Sequence, residues 1–279
     1  MSDSTLTTYV AADGDNLAIQ DWPLDPGQRL RGVVLLVHGL GEHAGRYDEL
    51  ARQLNGWGFA VRGYDQYGHG ESGGVRGGLP SDARLVDDLA DVLASTRARM
   101  QRGTPLILLG HSMGGLVAAR LVAQGQVPVD GLVLSSPALD AGLSAWRRLL
   151  VNVLPAIAPN LRVRNGLDPR LISHDPRVVQ AYQRDRLIHD RISARLARFI
   201  VDGGAATLQQ APGWHVPTLL MYAGDDKLVS PRGSRAFARA APAKVMTAHC
   251  FEQHYHEIFN ELDRQPVYAM LRAWLDRWF

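Results

Sequence analysis

The sequence predicts an α/β protein in which helices cover both faces of a mostly parallel sheet. Short runs rich in Val, Leu and Ile recur along the chain, and each is followed by a glycine-rich or polar turn and then by a longer stretch with helical spacing. These runs are nearly continuous in apolar residues, which is typical of parallel strands buried on both faces. The 279 residues are enough for one large domain, or for a core domain that carries an insertion.

The first predicted element is an antiparallel hairpin at the edge of the sheet, formed by TTYV and NLAIQDW on either side of the turn DGD. Strands and helices then alternate along the chain. The predicted strands are Val33 to His38, Phe59 to Asp65, Leu106 to Gly110, Leu132 to Ser136, Thr218 to Tyr222 and Val245 to Cys250. The predicted helices are Tyr47 to Trp57, Ser81 to Arg99, Gly114 to Gln124, Arg232 to Ala240 and Gln265 to Trp278.

The alternation stops after Asp140, and the next convincing strand does not begin until Thr218. The intervening segment has helical patterning and is rich in arginine. It predicts a helical cap over residues 141–208, inserted between the core segments 1–140 and 209–279.

One predicted cap helix carries an apolar stripe. In the segment LSAWRRLLVNVLPAI, apolar residues recur at spacings of three and four, with Arg147 and Arg148 on the polar side. We expect the stripe to pack on the core beneath it; the alternative is a mobile face that touches a lipid surface. The stripe residues are Leu143, Trp146, Leu149, Leu150, Val153, Leu154 and Ile157.

Composition argues against several classes of function. The formal net charge is +2, too close to neutral for a protein whose partner is nucleic acid. Only two lysines occur, Lys227 and Lys244, and neither precedes Ser or Thr, so a nucleotide-binding phosphate loop is absent. No HExxH or paired CxxC motif supplies zinc ligands. We therefore expect no metal and no other cofactor.

The cellular setting is predicted from the same composition. The chain has no apolar run long enough to span a membrane, and its first residues, MSDSTLTTYV, lack the basic start and apolar stretch of a secretory signal. We expect a cytoplasmic protein. The single cysteine, Cys250, lies in the apolar segment KVMTAHCF, where a buried structural thiol is expected.

The motif that carries most chemical information is GHSMG, within ILLGHSMGGLVAAR at residues 107–120. An apolar strand runs into Gly110, Ser112 follows on a sharp turn, and a helix begins near Gly114. This strand, turn and helix context is that of a nucleophile elbow, in which the glycines let the backbone approach closely and the serine oxygen is exposed. The sequence therefore predicts Ser112 as a nucleophile.

A nucleophilic serine needs a base, and the base needs a carboxylate that orients it and stabilises its cationic form. In this arrangement the chain order is Ser, then an acid, then His, each after a strand. Asp225 and Asp226 follow the strand TLLMY, and His254 and His256 follow the strand KVMTAHC. Spacing alone leaves both pairs open.

The segment VVLLVHGLGEHAGRY, residues 33–47, supplies a third component. Its HG turn follows an early strand and can direct the backbone N–H of Leu40 toward the serine, while Met113 supplies a second N–H from the elbow. Together these groups would bind the oxyanion. The GxGxxG pattern of Gly68 to Gly73, in contrast, is followed by more glycines and a proline instead of a helix, which argues against a dinucleotide site.

Five motifs in order resemble one known family: HGLGEHAGRY, YDQYGHGESGG, GHSMGG, GDDKLVSP and YHEIFNE. They are similar to those of α/β-hydrolases of the monoacylglycerol lipase and lysophospholipase type, which are also grouped with the serine aminopeptidase S33 clan. The resemblance covers the core from about Val33 to the C terminus and is much weaker in the insertion. It implies an α/β-hydrolase fold with a cap over the active site.

The resemblance also implies roles for individual residues. Ser112 would be the nucleophile, Asp226 the acid and His256 the base, with the N–H groups of Leu40 and Met113 holding the oxyanion. The expected substrates are small esters, above all monoacylglycerols, lysophospholipids or simple carboxylic esters; amide hydrolysis and a non-catalytic binding role are the alternatives. We also expect the substrate site to include His38, Gly39, His111, Trp146 and Leu150.

The predicted cap is strongly basic. Residues 141–200 contain 11 arginines, no lysine, 4 aspartates and no glutamate, so this segment carries +7 while the whole chain carries +2. One hypothesis is that an arginine faces the pocket and binds an anionic ester. The alternative is that the arginines are a solvated surface, and the sequence does not single out any one of them.

Overall fold

An eight-stranded sheet forms the centre of the computed structural model, which describes residues 4–11, 13–125 and 127–279. The strands of this sheet are β1 (Thr5–Val10), β2 (Asn16–Trp22), β3 (Gly32–Val37), β4 (Phe59–Tyr64), β5 (Leu106–His111), β6 (Gly131–Ser135), β9 (Thr218–Ala223) and β10 (Met246–Phe251). Two further strands, β7 (Arg162–Arg164) and β8 (Arg191–Ser193), pair with each other only.

The strand order across the sheet is β1-β2-β4-β3-β5-β6-β9-β10. The hairpin of β1 and β2 is antiparallel and β2 pairs antiparallel with β4, whereas all other pairs in the large sheet are parallel. The predicted edge hairpin and the mostly parallel sheet are thus confirmed. The parallel arrangement brings the carboxyl ends of β3, β5, β6, β9 and β10 to one edge, where the motifs found in the sequence follow.

Helices cover both faces of the sheet. They are α1 (Asp48–Gly56), α2 (Arg84–Arg99), α3 (Met113–Gln124), α4 (Ala145–Ile157), α5 (Pro176–Arg184), α6 (Ala194–Gln210), α7 (Pro231–Ala240) and α8 (Gln265–Trp278). The five helices predicted in the core segments are all present, with ends shifted by no more than three residues.

Two separate hydrophobic clusters lie on the two faces, because successive side chains of a strand point in opposite directions. On β5, Leu106 and Leu108 pack in one cluster with α2, α3, α6 and α7, whereas Ile107 and Leu109 pack in the other with α1 and α8. Burial on both faces explains why these strands are apolar at nearly every position.

The segment between β6 and β9 differs from the sequence prediction in two respects. It contains α4, α5 and α6, but also the two-stranded antiparallel sheet of β7 and β8, which the sequence analysis did not predict. The last helix, α6, ends at Gln210, two residues beyond the predicted limit of the cap. Strands of three residues are too short to produce a recognisable alternation in the sequence.

The apolar stripe of α4 is exposed, which contradicts the expectation that it packs on the core. Trp146 is 61% exposed, Leu149 62% and Ile157 78%, and Pro155 is the one buried residue of this helix. Periodicity shows that a helix has an apolar face, but it does not show whether that face packs on the protein core or contacts a lipid surface.

Cys250 is only partly buried, because β10 is an edge strand of the sheet. Desolvation raises the pKa of its thiol, which keeps the sulfur protonated at neutral pH. The thiol is therefore less buried than expected, although its raised pKa is that of an unreactive thiol.

Candidate active site

Ser112 occupies the sharp turn between β5 and α3. Its backbone has φ 54° and ψ −119°, a strained conformation for a residue with a side chain. The turn is held from both sides, since the N–H of Ser112 donates to the carbonyl of Ser135 at 3.0 Å and its own carbonyl accepts from Ala138 at 2.9 Å. A strained serine in a rigid turn is the geometry of a nucleophile elbow.

Gly114 allows the elbow to approach the neighbouring strand. A Cβ atom at this position would lie 2.2 Å from the carbonyl oxygen of Val37 and 2.3 Å from that of His38, both of them backbone atoms. Only glycine therefore fits where α3 begins. The same close packing brings the loop after β3 against Ser112: a Cβ on Gly39 would be 3.2 Å from the Cβ of Ser112.

His256 and Asp226 form a buried pair beside this elbow. The Nδ1 of His256 lies 2.6 Å from the Oδ2 of Asp226, and the other carboxylate oxygen accepts the backbone N–H groups of Leu228 and Val229 at 2.8 and 2.9 Å. Burial alone would lower the pKa of His256, but the Asp226 carboxylate raises it above its ordinary value. Asp226 therefore stabilises the protonated form of His256.

The competing acid and histidine lie elsewhere. Asp225 pairs with Lys227 on the surface, and His254 contacts the backbone carbonyl of Asp263 at 3.0 Å. Spacing could not separate these residues from Asp226 and His256, because both members of each pair belong to the same loop. The side-chain directions in the folded loops bring Asp226, rather than Asp225, to the histidine.

A cavity of about 360 Å³ is lined by Ser112, His256, Leu40, Gly39 and His111 among other residues. Two buried carboxylates, Glu42 and Glu257, also line it. The remaining lining residues come from the cap and from the loop after β9, and they are Leu167, Pro169, Ile172, Tyr182 and Leu228. The predicted nucleophile, the predicted base and the loop of the predicted oxyanion donor Leu40 thus border one cavity. Met113, the second predicted donor, is the first residue of α3 and follows Ser112 directly.

The loop of Gly39 and Leu40 is held by a buried glutamate. The Oε1 atom of Glu42 accepts the N–H of Gly39 at 2.5 Å and the hydroxyl of Tyr47 at 2.7 Å. Burial would raise the pKa of Glu42, but the charge of Arg46, with smaller contributions from nearby histidines, lowers it to about 2. Glu42 is therefore an ionised hydrogen-bond acceptor at neutral pH, which directs the turn that carries Leu40.

Arg46 connects this loop to the loop of His256. Its guanidinium pairs with Glu42 and makes two hydrogen bonds to Glu257, the residue after His256, at 2.7 and 2.8 Å. All three side chains are nearly inaccessible to solvent. A forked pair of this kind fixes geometry as well as charge. The sequence analysis did not single out Glu42, Arg46 or Glu257, although all three belong to the quoted motifs.

The predicted substrate-site residues fall into two groups. Gly39 and His111 line the cavity, whereas His38 is buried behind it and accepts the N–H of Gln66 through Nε2. Burial and the nearby His256 lower the pKa of His111 to about 4, so the His111 imidazole is uncharged at neutral pH. Trp146 and Leu150 lie on the exposed face of α4 and are not among the cavity residues. The structure does not bring these two side chains to the cavity, because their helix turns this face outward.

Comparison with known proteins identifies the family. The family model described as serine aminopeptidase, S33, matches residues 28–263. The chain belongs to this hydrolase family. The hydrolase is 32% identical over 271 residues to the monoacylglycerol lipase of Mycolicibacterium smegmatis, which covers 96% of this chain and 95% of that protein. It is also 32% identical over 250 residues to phospholipase YtpA of Bacillus subtilis, covering 88% and 95%.

The crystal structure of Paleococcus ferrophilus monoacylglycerol lipase superimposes on the hydrolase with a TM-score of 0.85 and 34% identity, covering 94% of this chain and 99% of that one. A long abhydrolase-domain protein of Dictyostelium discoideum matches 98% of this chain at 31% identity, and the chain spans 29% of that protein. The α/β-hydrolase fold and the lipase or esterase type of hydrolase that the motifs implied are confirmed.

No group of three or more His, Cys, Asp or Glu side chains that could hold a metal ion occurs among the described residues. None of the described helices is both long enough and apolar enough to cross a membrane.

Proposed function

We propose that the hydrolase cleaves carboxylic esters through an acyl-enzyme on Ser112, with monoacylglycerols and related lipid esters as its substrates. The observation that carries the proposal is the buried pair of His256 and Asp226, 2.6 Å apart, on the wall of the cavity that Ser112 also borders. The named activities of the Mycolicibacterium smegmatis and Bacillus subtilis relatives, a monoacylglycerol lipase and a phospholipase, support lipid esters over other esters.

The proposed reaction has two halves. The oxygen of Ser112 attacks the ester carbon while its proton moves to the ring nitrogen of His256 that Asp226 does not contact. The backbone N–H groups of Leu40 and Met113 hold the negative oxygen that forms. The bond to the alcohol then breaks, and His256 returns the proton to the departing oxygen.

Water completes the cycle. His256 accepts a proton from water, the resulting nucleophile attacks the acyl carbon, and the bond to Ser112 breaks with return of a proton to the serine oxygen. The products are a free fatty acid and the alcohol. All these steps use the protein's own groups and water.

The test is a chain-length series of p-nitrophenyl esters, run beside monoacylglycerols, a lysophospholipid and a matched amide. Ser112→Ala should lower turnover by several orders of magnitude, while Ser81→Ala, which changes an exposed serine outside the cavity, should leave it unchanged. A preference for short soluble esters would point to a general carboxylesterase, and a preference for the amide to a peptidase. Absence of turnover on every substrate by the folded wild type would overturn the proposal in favour of a binding protein.

We also propose that the cap contacts a lipid surface through α4. Its exposed apolar residues form a continuous face, and the guanidinium of Arg147 lies 5.5 Å from the centre of the Trp146 ring at the border of that face. An apolar helix face bordered by arginines fits an interface with anionic headgroups. A cytoplasmic location remains a prediction from the sequence.

The surface is tested with sedimentation of anionic and neutral vesicles. Leu149→Ser should weaken binding to anionic vesicles, and Leu262→Ser, an equally exposed leucine outside the cap, should not. Adsorption should also fall steeply with salt, because an exposed electrostatic attraction is screened. Equal binding to neutral and anionic vesicles would contradict this role of the arginines.

A further inference from the structure

A second cavity, wide and open, adjoins the cavity of Ser112 on the cap side. Its empty volume is about 1180 Å³. Leu167, Pro169 and Tyr182 line both cavities, so the two share a wall. We call the second one the arginine cleft, because Arg76, Arg162 and Arg191 line it.

The positive charges of the arginine cleft are incompletely compensated. Two carboxylates also line it, but Asp185 contacts His43 at 2.8 Å, and Asp190 pairs with Arg164 and Arg191 at 3.0 and 3.3 Å. In the described part of the chain, no carboxylate forms an ion pair with Arg76 or Arg162. The cleft therefore presents two guanidinium groups that lack an anionic partner.

Arg76 also has an unused hydrogen-bond donor. Its Nη1 atom is buried and has no hydrogen-bond partner among the described residues. A buried donor without a partner costs free energy, so such a group points to a missing acceptor. Arg162 donates to the backbone carbonyl of Arg76 at 3.4 Å, which brings the two cationic residues together.

The glycine-rich loop after β4 fixes Arg76 under the cap. Gly77 has φ +66°, and a Cβ there would lie 2.2 Å from the carbonyl oxygen of Arg191 on β8. The N–H of Ser193, also on β8, donates to the carbonyl of Gly77 at 2.7 Å. The GxGxxG segment that resembled a dinucleotide motif thus begins a loop that packs against the cap and presents an arginine.

The imidazole of His189 lies in the same cleft. Burial and the charge of Arg76 lower the pKa of His189 to about 4, so it is neutral at neutral pH. The charge that a ligand meets here therefore belongs to the arginines, which stay protonated over the whole working range.

We propose that the arginine cleft binds the phosphate group of an acyl ester, so that the hydrolase prefers lysophospholipid-type substrates with an anionic headgroup over neutral monoacylglycerols of the same chain length. The inference rests on the proposed ester hydrolysis at Ser112. Guanidinium groups match phosphate in charge and geometry, and two adjacent arginines can share its oxygens. Because Leu167, Pro169 and Tyr182 line both spaces, the cleft lies next to the Ser112 cavity, and the proposal requires one substrate to span from Ser112 to the arginines.

The first experiment compares kcat/KM for a monoacylglycerol and for the acylglycerol phosphate with the same acyl chain. We expect the ratio of phosphate ester to neutral ester to fall about tenfold or more in Arg76→Gln, and further in Arg76→Gln with Arg162→Gln, because hydrogen bonds between charged groups are lost. Arg184→Gln removes an exposed cap arginine that does not line the cleft, and it should leave the ratio within about twofold of wild type. A ratio that Arg76→Gln leaves unchanged would overturn the proposal.

A binding experiment separates this proposal from the one about catalysis. The full-length Ser112→Ala protein is titrated by calorimetry with decyl phosphate, with decyl glycerol ether and with glycerol 3-phosphate. We expect decyl phosphate to bind more tightly than the neutral ether, and Arg76→Gln to abolish that difference. If wild type cleaves neither ester yet this binding pattern holds, the catalytic proposal fails and the phosphate site stands.

The same titration distinguishes a lipid headgroup from free phosphate. Glycerol 3-phosphate that binds as tightly as decyl phosphate would show that the cleft takes a free phosphate ester, which would overturn its assignment as a headgroup site. Equal binding of decyl phosphate and the neutral ether would overturn any phosphate specificity. Thermal unfolding of Arg76→Gln beside wild type checks that the variant is folded.

Discussion

Replacement of Glu42 by glutamine tests whether this buried carboxylate positions the loop of Gly39 and Leu40, in which the Leu40 N–H is the proposed oxyanion donor. In the wild type, its Oε1 atom accepts the N–H of Gly39 and the hydroxyl of Tyr47, while Oε2 faces the guanidinium of Arg46. In Glu42→Gln, one oxygen must become an NH₂ group. If the amide oxygen keeps Gly39 and Tyr47, the NH₂ group faces Arg46, so two donors oppose each other.

The size of the effect follows from these contacts. One charged hydrogen bond to Arg46 is lost, which costs about 1.5–3 kcal/mol. Arg46 keeps its two bonds to Glu257, so the loss should stay below the roughly 3–5 kcal/mol of a fully broken buried pair. The alternative amide rotamer would release Gly39 and misdirect the N–H of Leu40. Removal of one oxyanion donor lowers turnover by about 10² to 10³, and this range is the upper limit for the decrease in kcat.

The assay is steady-state hydrolysis of a p-nitrophenyl ester together with thermal unfolding. We expect Glu42→Gln to lower kcat by about 10² with a much smaller change in KM, since the loop acts on the transition state more than on the bound ester. Tyr47→Phe is the matched control: it removes one donor to the same carboxylate but keeps the charge and the bond to Gly39, and kcat should change by less than about threefold. A folded Glu42→Gln protein with wild-type kcat would refute the reasoning.

Three other predictions follow from the same contacts. Asp226 raises the pKa of His256, and His256 must be neutral to act as a base, so activity should fall as the pH drops through that raised pKa. Asp226→Asn should move this acidic limb to lower pH and lower kcat by about 10³ to 10⁴. Profiles of kcat and kcat/KM against pH measure both effects. Gly114→Ala should destabilise the fold and abolish esterase activity, since its Cβ would meet two backbone oxygens, whereas Gly56→Ala, with open space around it, should melt at or above the wild-type temperature. Arg46→Met leaves the two buried carboxylates Glu42 and Glu257 without their cation, which raises their pKa values. The free energy of unfolding should fall by about 3–5 kcal/mol at pH 8 and by less at pH 5, where the carboxylates can take up protons. Equal losses at the two pH values, measured by denaturant unfolding, would contradict this account.

Strands, helices and the elbow could be predicted from the sequence because each signal lies within a short window. The continuous apolar run of β5, the two glycines around Ser112 and the helical pattern of α3 are adjacent in the chain. Their local geometry follows from steric and burial rules alone. The small strands β7 and β8 could not be found in this way, because three residues carry no measurable period.

The exposed face of α4 shows a second limit. Its spacing predicts an amphipathic helix correctly, yet the direction of the apolar face depends on how the cap sits on the core. The position of Arg76 is a similar case. Nothing in the segment GGVRGG indicates that its arginine lies beneath β8 and beside Arg162, since that contact joins residues 86 positions apart.

The sequence by itself determined the α/β class, the order of the motifs and the residue types that a serine hydrolase requires. Only the tertiary structure decided which side chains meet: Asp226 instead of Asp225 contacts His256, and Arg46 reaches Glu257 across 211 positions to join two loops. The physical reason is that secondary structure depends on neighbours within a few residues, whereas ion pairs and cavities depend on side-chain directions set by the packing of distant elements.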